Sequence, residues 1–394
     1  MESGLAQVWL SPALNDPCWD DFLRRTSHGQ YQQSSLWAEF KAEDGWEHHR
    51  VVVTDSREII GGYQLLWKKK GPVRIGYVSK GPVTLADFLS LRTALLSLLA
   101  NSAHELDLSA LISQSPDECR NEEESAAQEL GFFRSNPMDV IEATYLVNVR
   151  EDLRTIRQRM NRNMRKCVRK AVEQGMVVRQ GTEVDLPLFF DLMTATCRRQ
   201  KSKPNPPDLG ALQRLWRVFA RHDLVEITFA GGKGKEIAGL MSIIFGDRVT
   251  LWKKGWDGSN PNWHPNELLI DHAFERAHGR GYSICDFSAI SRPAAVHILS
   301  GASLDASMAR SQDMFKLRMG GYPRLLPRAR LYVTNPILRW GYVNTYGRFE
   351  KFREHRLLTD PVPMPSLTGP MTPNLDPARP AVGGAQVAHP SDRS

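Results

Sequence analysis

The 394-residue chain contains the run RTIRQRMNRNMRKCVRK at 154–170, with eight Arg or Lys and no acid. Cations at this density suit phosphate: nucleic acid, an anionic membrane surface, or a phosphate-rich small ligand. Leu153, Ile156, Met160, Met164, Val168 and Ala171 recur at steps of three and four, which predicts one amphipathic helix ending at Gly175. Arg154, Arg157, Arg162, Arg165 and Arg169 fall off that stripe onto a cationic face. Like charges so placed repel by about 0.2–0.5 kcal/mol per pair. The face reads as a solvated surface, a phosphate-binding surface or a membrane-surface element. A second candidate is Asp286, at the end of the strand-like run YSICDFS. A carboxylate there faces the usual crevice of an α/β sheet, where it can serve as a base, a hydrogen-bond anchor or a cap of the next turn.

Other chemistries are disfavoured. Cys18, Cys119, Cys167, Cys197 and Cys285 are scattered and form no CxxC pair. That argues against a disulfide framework and against a metal site, and fits a reducing, cytoplasmic setting. The start, MESGLAQVWLSPALND, has neither a basic n-region nor a sustained apolar core. No apolar stretch approaches the roughly 18 residues needed to span a bilayer. The net charge of +7 is concentrated: 150–170 hold nine basic residues against Glu151 and Asp152, and 314–349 hold seven with no acid. Two such zones point to anionic partners.

The elements that must position these groups show an internal repeat. EIIGGYQLLW (58–67) and EIAGLMSIIF (236–245) both read as strands with glycine in the fourth place. Each follows a strand-like run (HHRVVV, LVEITFA) and precedes another (VRIGYVS, RVTLWKK), then a helix and a last strand. The shared order predicts a duplicated α/β unit, of α+β character. The expected division is 1–150, 151–330, a segment 331–360 and a tail 361–394. The tail has eight prolines and no aromatic residue, so it is expected to be disordered.

The segments QQSSLWAEFKAEDGW (32–46), GYVSKGPV (76–83), CVRKAVEQGMVVR (167–179), PNELLIDHAFERAHGRGYSICDFSAI (265–290) and DMFKLRMGG (313–321), taken in order, resemble the FemABX family of aminoacyl-tRNA-dependent peptidyltransferases. The resemblance spans about residues 30–325. It implies tandem GNAT-like acyltransferase domains, with 331–360 returning to pack on the first. It implies amide formation using aminoacyl-tRNA or acyl-CoA as co-substrate, with no resident cofactor, and an amine acceptor that is nucleotide- or lipid-linked. Peripheral membrane contact is compatible with it.

By the same resemblance, Lys316 stabilises charge at the reaction centre, with Phe315 shielding it from water; Asp286, read from its place at a strand end, is the third catalytic candidate. Lys41 contacts an acceptor phosphate, and Arg198 or Arg199 lies on the acceptor site. Arg162, Arg165 and Arg169 are the expected donor-phosphate contacts. Two departures stand out. SQSP at 113–116 replaces the family's R-x-D-P, so Ser113 and Ser115 forgo an acceptor contact. No clean loop for a CoA pyrophosphate appears: KKGWDGSNPNWHPN (253–266) is irregular. The rival readings are a non-catalytic GNAT-like adaptor, favoured if Lys316 and Asp286 share no cleft, and a nucleic-acid-binding protein, which lacks any recognition motif.

Overall fold

The computed structural model describes residues 6–345, apart from 57, 89, 117–120, 139 and 303–312. The expected tail, 361–394, lies outside the described residues, as does 346–360.

The first part of the chain runs β1 (Gln7–Ser11), α1 (Pro17–Arg25), α2 (Ser35–Ala42), β2 (Glu47–Asp55), β3 (Glu58–Lys70), β4 (Val73–Ser79), β5 (Val83–Thr84), α3 (Leu91–Glu105), β6 (Ala110–Gln114), α4 (Asn121–Glu129) and β7 (Phe133–Arg134). Next come β8 (Ala143–Asn148), α5 (Leu153–Arg159) and α6 (Arg162–Glu173). The second part runs β9 (Val177–Gln180), α7 (Leu186–Arg199), α8 (Leu209–Ala220), β10 (Val225–Gly232), β11 (Lys235–Phe245), β12 (Arg248–Trp256), α9 (Pro265–Gly279), β13 (Ile284–Asp286), α10 (Arg292–Leu299), α11 (Asp313–Leu317) and β14 (Tyr322–Leu325). β15 (Arg330–Val333) and α12 (Pro336–Asn344) follow.

The strands form two sheets. The first has the order β1-β2-β3-β4-β6-β15-β7, and the second, read from its far edge, β9-β10-β11-β12-β13-β8-β14. EIIGGYQLLW lies in β3 and EIAGLMSIIF in β11, the third place of each sheet. β4 and β6 run parallel, and so do β12 and β13, each pair joined across a helix.

The sixth place shows an exchange. β8, which follows β7 in the chain, fills that place in the second sheet, while β15, which follows β14, fills it in the first. β8 (Ala143–Asn148), although it precedes residue 150, therefore belongs to the second sheet. Tyr145 and Val147 of β8 are buried in the core of the second sheet, beside Ile156, Leu269 and Phe274.

The halves share an apolar core. Trp19, Phe22, Leu36 and Phe40 from the first pack with Phe189, Leu212, Leu215 and Phe219 from the second. Each such side chain contributes about 1.5–3 kcal/mol on full burial. Arg214–Asp44 (2.7 Å) and Arg217–Glu43 (3.0 Å) line the rim of that contact, between α8 and the end of α2.

The basic run is two helices, not the single one its periodicity suggested. Met160 is extended (ψ 142°), and Asn161 caps α6 by accepting from Asn163 N at 2.8 Å. The reason is tertiary. Asn161 N donates to Arg318 O (2.9 Å), so the segment after α11 packs into the break. Gly320 (φ +80°) is required there, because a Cβ would lie 2.7 Å from the backbone of Arg159 and Met160. The stripe residues Ile156, Met160, Met164 and Ala171 are buried as their spacing predicts.

Candidate active site

The site lies where β12 and β13 part. Their parallel pairing ends at Thr250 and Asp286, beyond which β12 continues alone to Trp256. A bulge opens β12 at this point: Ser242 pairs with Leu251 and Met241 with Lys253, leaving Trp252 unpaired. Bulges turn side chains out of the alternating pattern. Here Trp252, Lys253 and Lys254 all line one cleft of ≈ 340 Å³.

The first half closes this cleft with Tyr31 and Lys80. Gln33, in the same short turn as Tyr31, ties that turn to β3 and to Ser79, the residue before Lys80. Its side chain accepts from Gln64 N (2.8 Å) and donates to Gln64 O (3.1 Å) and Ser79 O (2.8 Å), and Trp19 Nε1 donates to its carbonyl (2.7 Å). A Cβ at Gly81 would lie 2.7 Å from Gln33 Oε1, so the K-G-P turn admits only glycine there. Lys80 (φ 60°) donates to Gln114 Oε1 at 2.9 Å. Burial foremost, and then the Asp286 carboxylate, push the Tyr31 phenol up, while the Trp252 side chain acts the other way.

Lys316 and Phe315, on α11, enter from the second half. Lys316 Nζ donates to Phe287 O (3.2 Å) and to Ala289 O. Burial lowers its pKa; Asp313 and Asp286 oppose the shift and Lys253 adds to it. Lys254 Nζ lies 3.9 Å from the centre of the Phe315 ring. Burial and then Lys316 lower it to about 8, with Glu267 opposing. Burial lowers Lys253 as well.

Asp286 lines the same cleft and is held by three donors. It accepts from Arg248 Nη1 (3.0 Å), Ser288 N (2.8 Å) and Thr144 Oγ1. A carboxylate held by three donors, one of them a guanidinium, is suited to anchoring.

The structure thus brings Phe315, Lys316 and Asp286 together; the other expected residues do not line this cleft. Lys41 pairs with Asp44 (3.2 Å) and lies 5.4 and 5.9 Å from the ring centres of Phe40 and Trp46. Arg199 stacks on Trp256 (4.8 Å) and donates to its carbonyl (2.6 Å). Arg198 is exposed, with no hydrogen bond or ion pair among the described residues, and so is the arginine left available for a ligand. Arg162 and Arg169 are exposed on α6. Arg165 is not available: it donates to the carbonyls of Gln158 (2.7 Å) and Met160, closing the end of α5. Arg157 is likewise held, by Asp271 (2.8 and 2.7 Å). Ser115 donates to Glu123, which Arg330 and Arg92 also face, so the SQSP segment is tied into a buried ionic cluster.

Tyr31, Lys80, Trp252 and Lys254 were not foreseen. The available signal was LWKKGW: two lysines inside a run that otherwise reads as a buried strand. One further grouping combines separate elements: Cys167, His264 and Glu267 each bring a metal-ligating atom within 4.8 Å of the others. Among the described residues, no helix is long and apolar enough to cross a membrane.

Comparison with known proteins agrees with this architecture. Residues 14–136 match the FemAB family, and residues 157–293 match an acetyltransferase (GNAT) domain. Lipid II:glycine glycyltransferase of Staphylococcus saprophyticus is 28% identical over 197 residues, 47% of this chain and 48% of that protein. The Staphylococcus haemolyticus protein of the same name is 30% identical over 194 residues, 46% of each. The chain spans about half the length of the curated relatives it matches. The crystal structure of FemX aligns with a TM-score of 0.72, covering 86% of this chain and 99% of that one at 17% identity. The first part of the chain thus matches the FemAB family, the second matches a GNAT acetyltransferase domain, and the two parts together have the fold of FemX.

Proposed function

We propose that the protein is an amide-forming aminoacyltransferase, moving an aminoacyl group from an aminoacyl-tRNA to an amine on a lipid-linked acceptor. The observation that carries this reading is Lys316, fixed by two backbone carbonyls in a cleft that also holds Asp286. An adaptor would not need that convergence. The names of the relatives supply the glycyl group and lipid II as first candidates for donor group and acceptor.

The chemistry follows from the residues. Attack of an amine on an ester carbonyl develops negative charge on oxygen. A cation held at that point is worth about 2.7–4 kcal/mol in comparable sites. Two of the three Lys316 donors go to carbonyls, which leaves one for an oxyanion. Phe315 and Trp252 exclude water around it. Exposed Arg162, Lys166 and Arg169 offer phosphate contacts for a tRNA.

An acyl-CoA donor is the second reading, and the start of α9 speaks against it. That helix begins with Pro265 and carries Glu267 in its first turn, which brings a carboxylate to the end where a pyrophosphate would bind. The test is a donor screen on the purified chain: radiolabelled aminoacyl-tRNAs, glycyl-tRNA first, beside acyl-CoAs, with lipid II in detergent micelles as acceptor. Label transferred from tRNA supports the proposal. Transfer from CoA alone, or from neither, overturns it.

A further inference from the structure

Two lysines share the cleft in unlike settings. Lys316 donates to the carbonyls of Phe287 and Ala289, contacts that a charged ammonium makes more strongly than a neutral amine. The Lys254 side chain makes no hydrogen bond or ion pair among the described residues; its Nζ lies over the Phe315 ring. Its strand cannot move it away, because the neighbouring Gly255 packs against the backbone of Leu192 and Met193, where a Cβ would lie 2.5–2.7 Å from them. A second ammonium group beside Lys316 is disfavoured by burial and by repulsion.

We propose that Lys254 is the general base of the transfer: as a neutral amine it takes a proton from the acceptor ammonium, while Lys316 remains the fixed cation. This rests on the reading of the site as an ester-to-amide transferase. Groups in unlike environments divide acid and base roles in this way. The charged groups facing Lys254 are Lys316 from α11 and Glu267 from α9; Asp313, Asp286 with Arg248, and Lys253 stand around Lys316. The resulting value of about 8 leaves a substantial neutral fraction near neutral pH.

The proton count closes. The acceptor ammonium gives one proton to Lys254 Nζ. Its freed lone pair forms the C–N bond at the ester carbonyl, and the oxyanion faces Lys316. Protonated Lys254 returns that proton to the ribose oxygen as the C–O bond breaks. It then takes the second proton from the new amide nitrogen and releases it to solvent.

Two measurements test this. The first is trace acetylation of the whole chain with acetic anhydride across pH 6–11, read at Lys254 by fragment mass spectrometry. A midpoint near 8 is expected. A midpoint near the ordinary lysine value of about 10.4 overturns the proposal.

The second is single-turnover transfer from aminoacyl-tRNA to lipid II between pH 6.5 and 9. Lys254→Met should be slower by roughly 10²-fold at pH 7.5, within the range for a general base. Its rate should rise steadily with pH as the acceptor loses its own proton, and the KM for tRNA should hold. Lys254→Arg keeps the charge but cannot deprotonate, so it should be equally slow. Full rate in the Arg variant, or an unchanged pH profile in the Met variant, overturns the base. A wild-type chain that transfers from no tRNA sinks the functional reading instead, so the two failures are distinct.

Discussion

The Tyr145 hydroxyl reaches both Gly321 O (2.8 Å) and Leu317 O (2.9 Å). It thereby ties β8, the strand exchanged between the halves, to the end of α11, which carries Phe315 and Lys316, and to the segment after it. Tyr145 is buried and its single O–H donates to one of these carbonyls at a time, so removing the hydroxyl takes away a buried partner. Tyr145→Phe should cost about 1–3 kcal/mol of stability, the penalty for unsatisfied buried partners. It should also lower turnover more than it raises KM, because the Lys316 position loosens. Chemical denaturation and single-turnover kinetics read the two effects; a loss of stability with turnover intact would separate this hydroxyl from the site.

Lys316→Ala removes the cation placed to meet developing charge. Turnover should fall roughly 10²–10³-fold, as on loss of one oxyanion donor. KM should move little, since ground-state binding is not what is lost. Lys316→Arg should recover part of the rate, because a planar guanidinium cannot reproduce the two carbonyl contacts of a compact ammonium. Full turnover in the Ala variant would remove Lys316 from the chemistry.

The arginines of α6 should divide into two kinds. Arg162→Glu with Arg169→Glu should weaken tRNA binding and flatten its dependence on salt, as fewer counterions are released. Arg165→Glu should instead lower the melting temperature, because Arg165 closes the end of α5. Filter binding at several salt concentrations, beside thermal melts, distinguishes them. Equal behaviour of all three would make the helix a solvated face.

Stability should respond to pH through Lys254. Its folded value of about 8 lies below its unfolded value of about 10.4, so between those pH values the unfolded chain binds more protons. Stability from this group therefore rises with pH across that window, and the penalty for burying the cation is full below it. Lys254→Met should be more stable than the wild type at pH 7, with the advantage shrinking toward pH 10. Urea midpoints of both proteins at several pH values check the sign; a constant difference would contradict it.

Much of this fold is local in origin and so was legible. The stripe Ile156–Met160–Met164–Ala171 announces helices whether or not the rest of the chain is present. EIIGGYQLLW and EIAGLMSIIF, with the order of strands around each, announce the duplication. The segment DMFKLRMGG led to Lys316 through its resemblance to the FemABX family, a signal that a short contiguous run can carry. The contacts that complete the site are of another kind. Tyr31 and Lys80 meet Lys254 and Lys316 only when the halves close on their shared apolar core. The exchange of β8 and β15 depends on hydrogen bonds between strands far apart in sequence, and either strand read alone fits either sheet. Whether Arg165 serves a ligand or the end of α5 was decided by the break at Asn161, which Arg318 and Gly320 impose from more than 150 residues away. Periodicity and composition are set by each residue's own preferences. Partnership is set by packing, which assigns a role to a charge only after the chain has brought its neighbours to it.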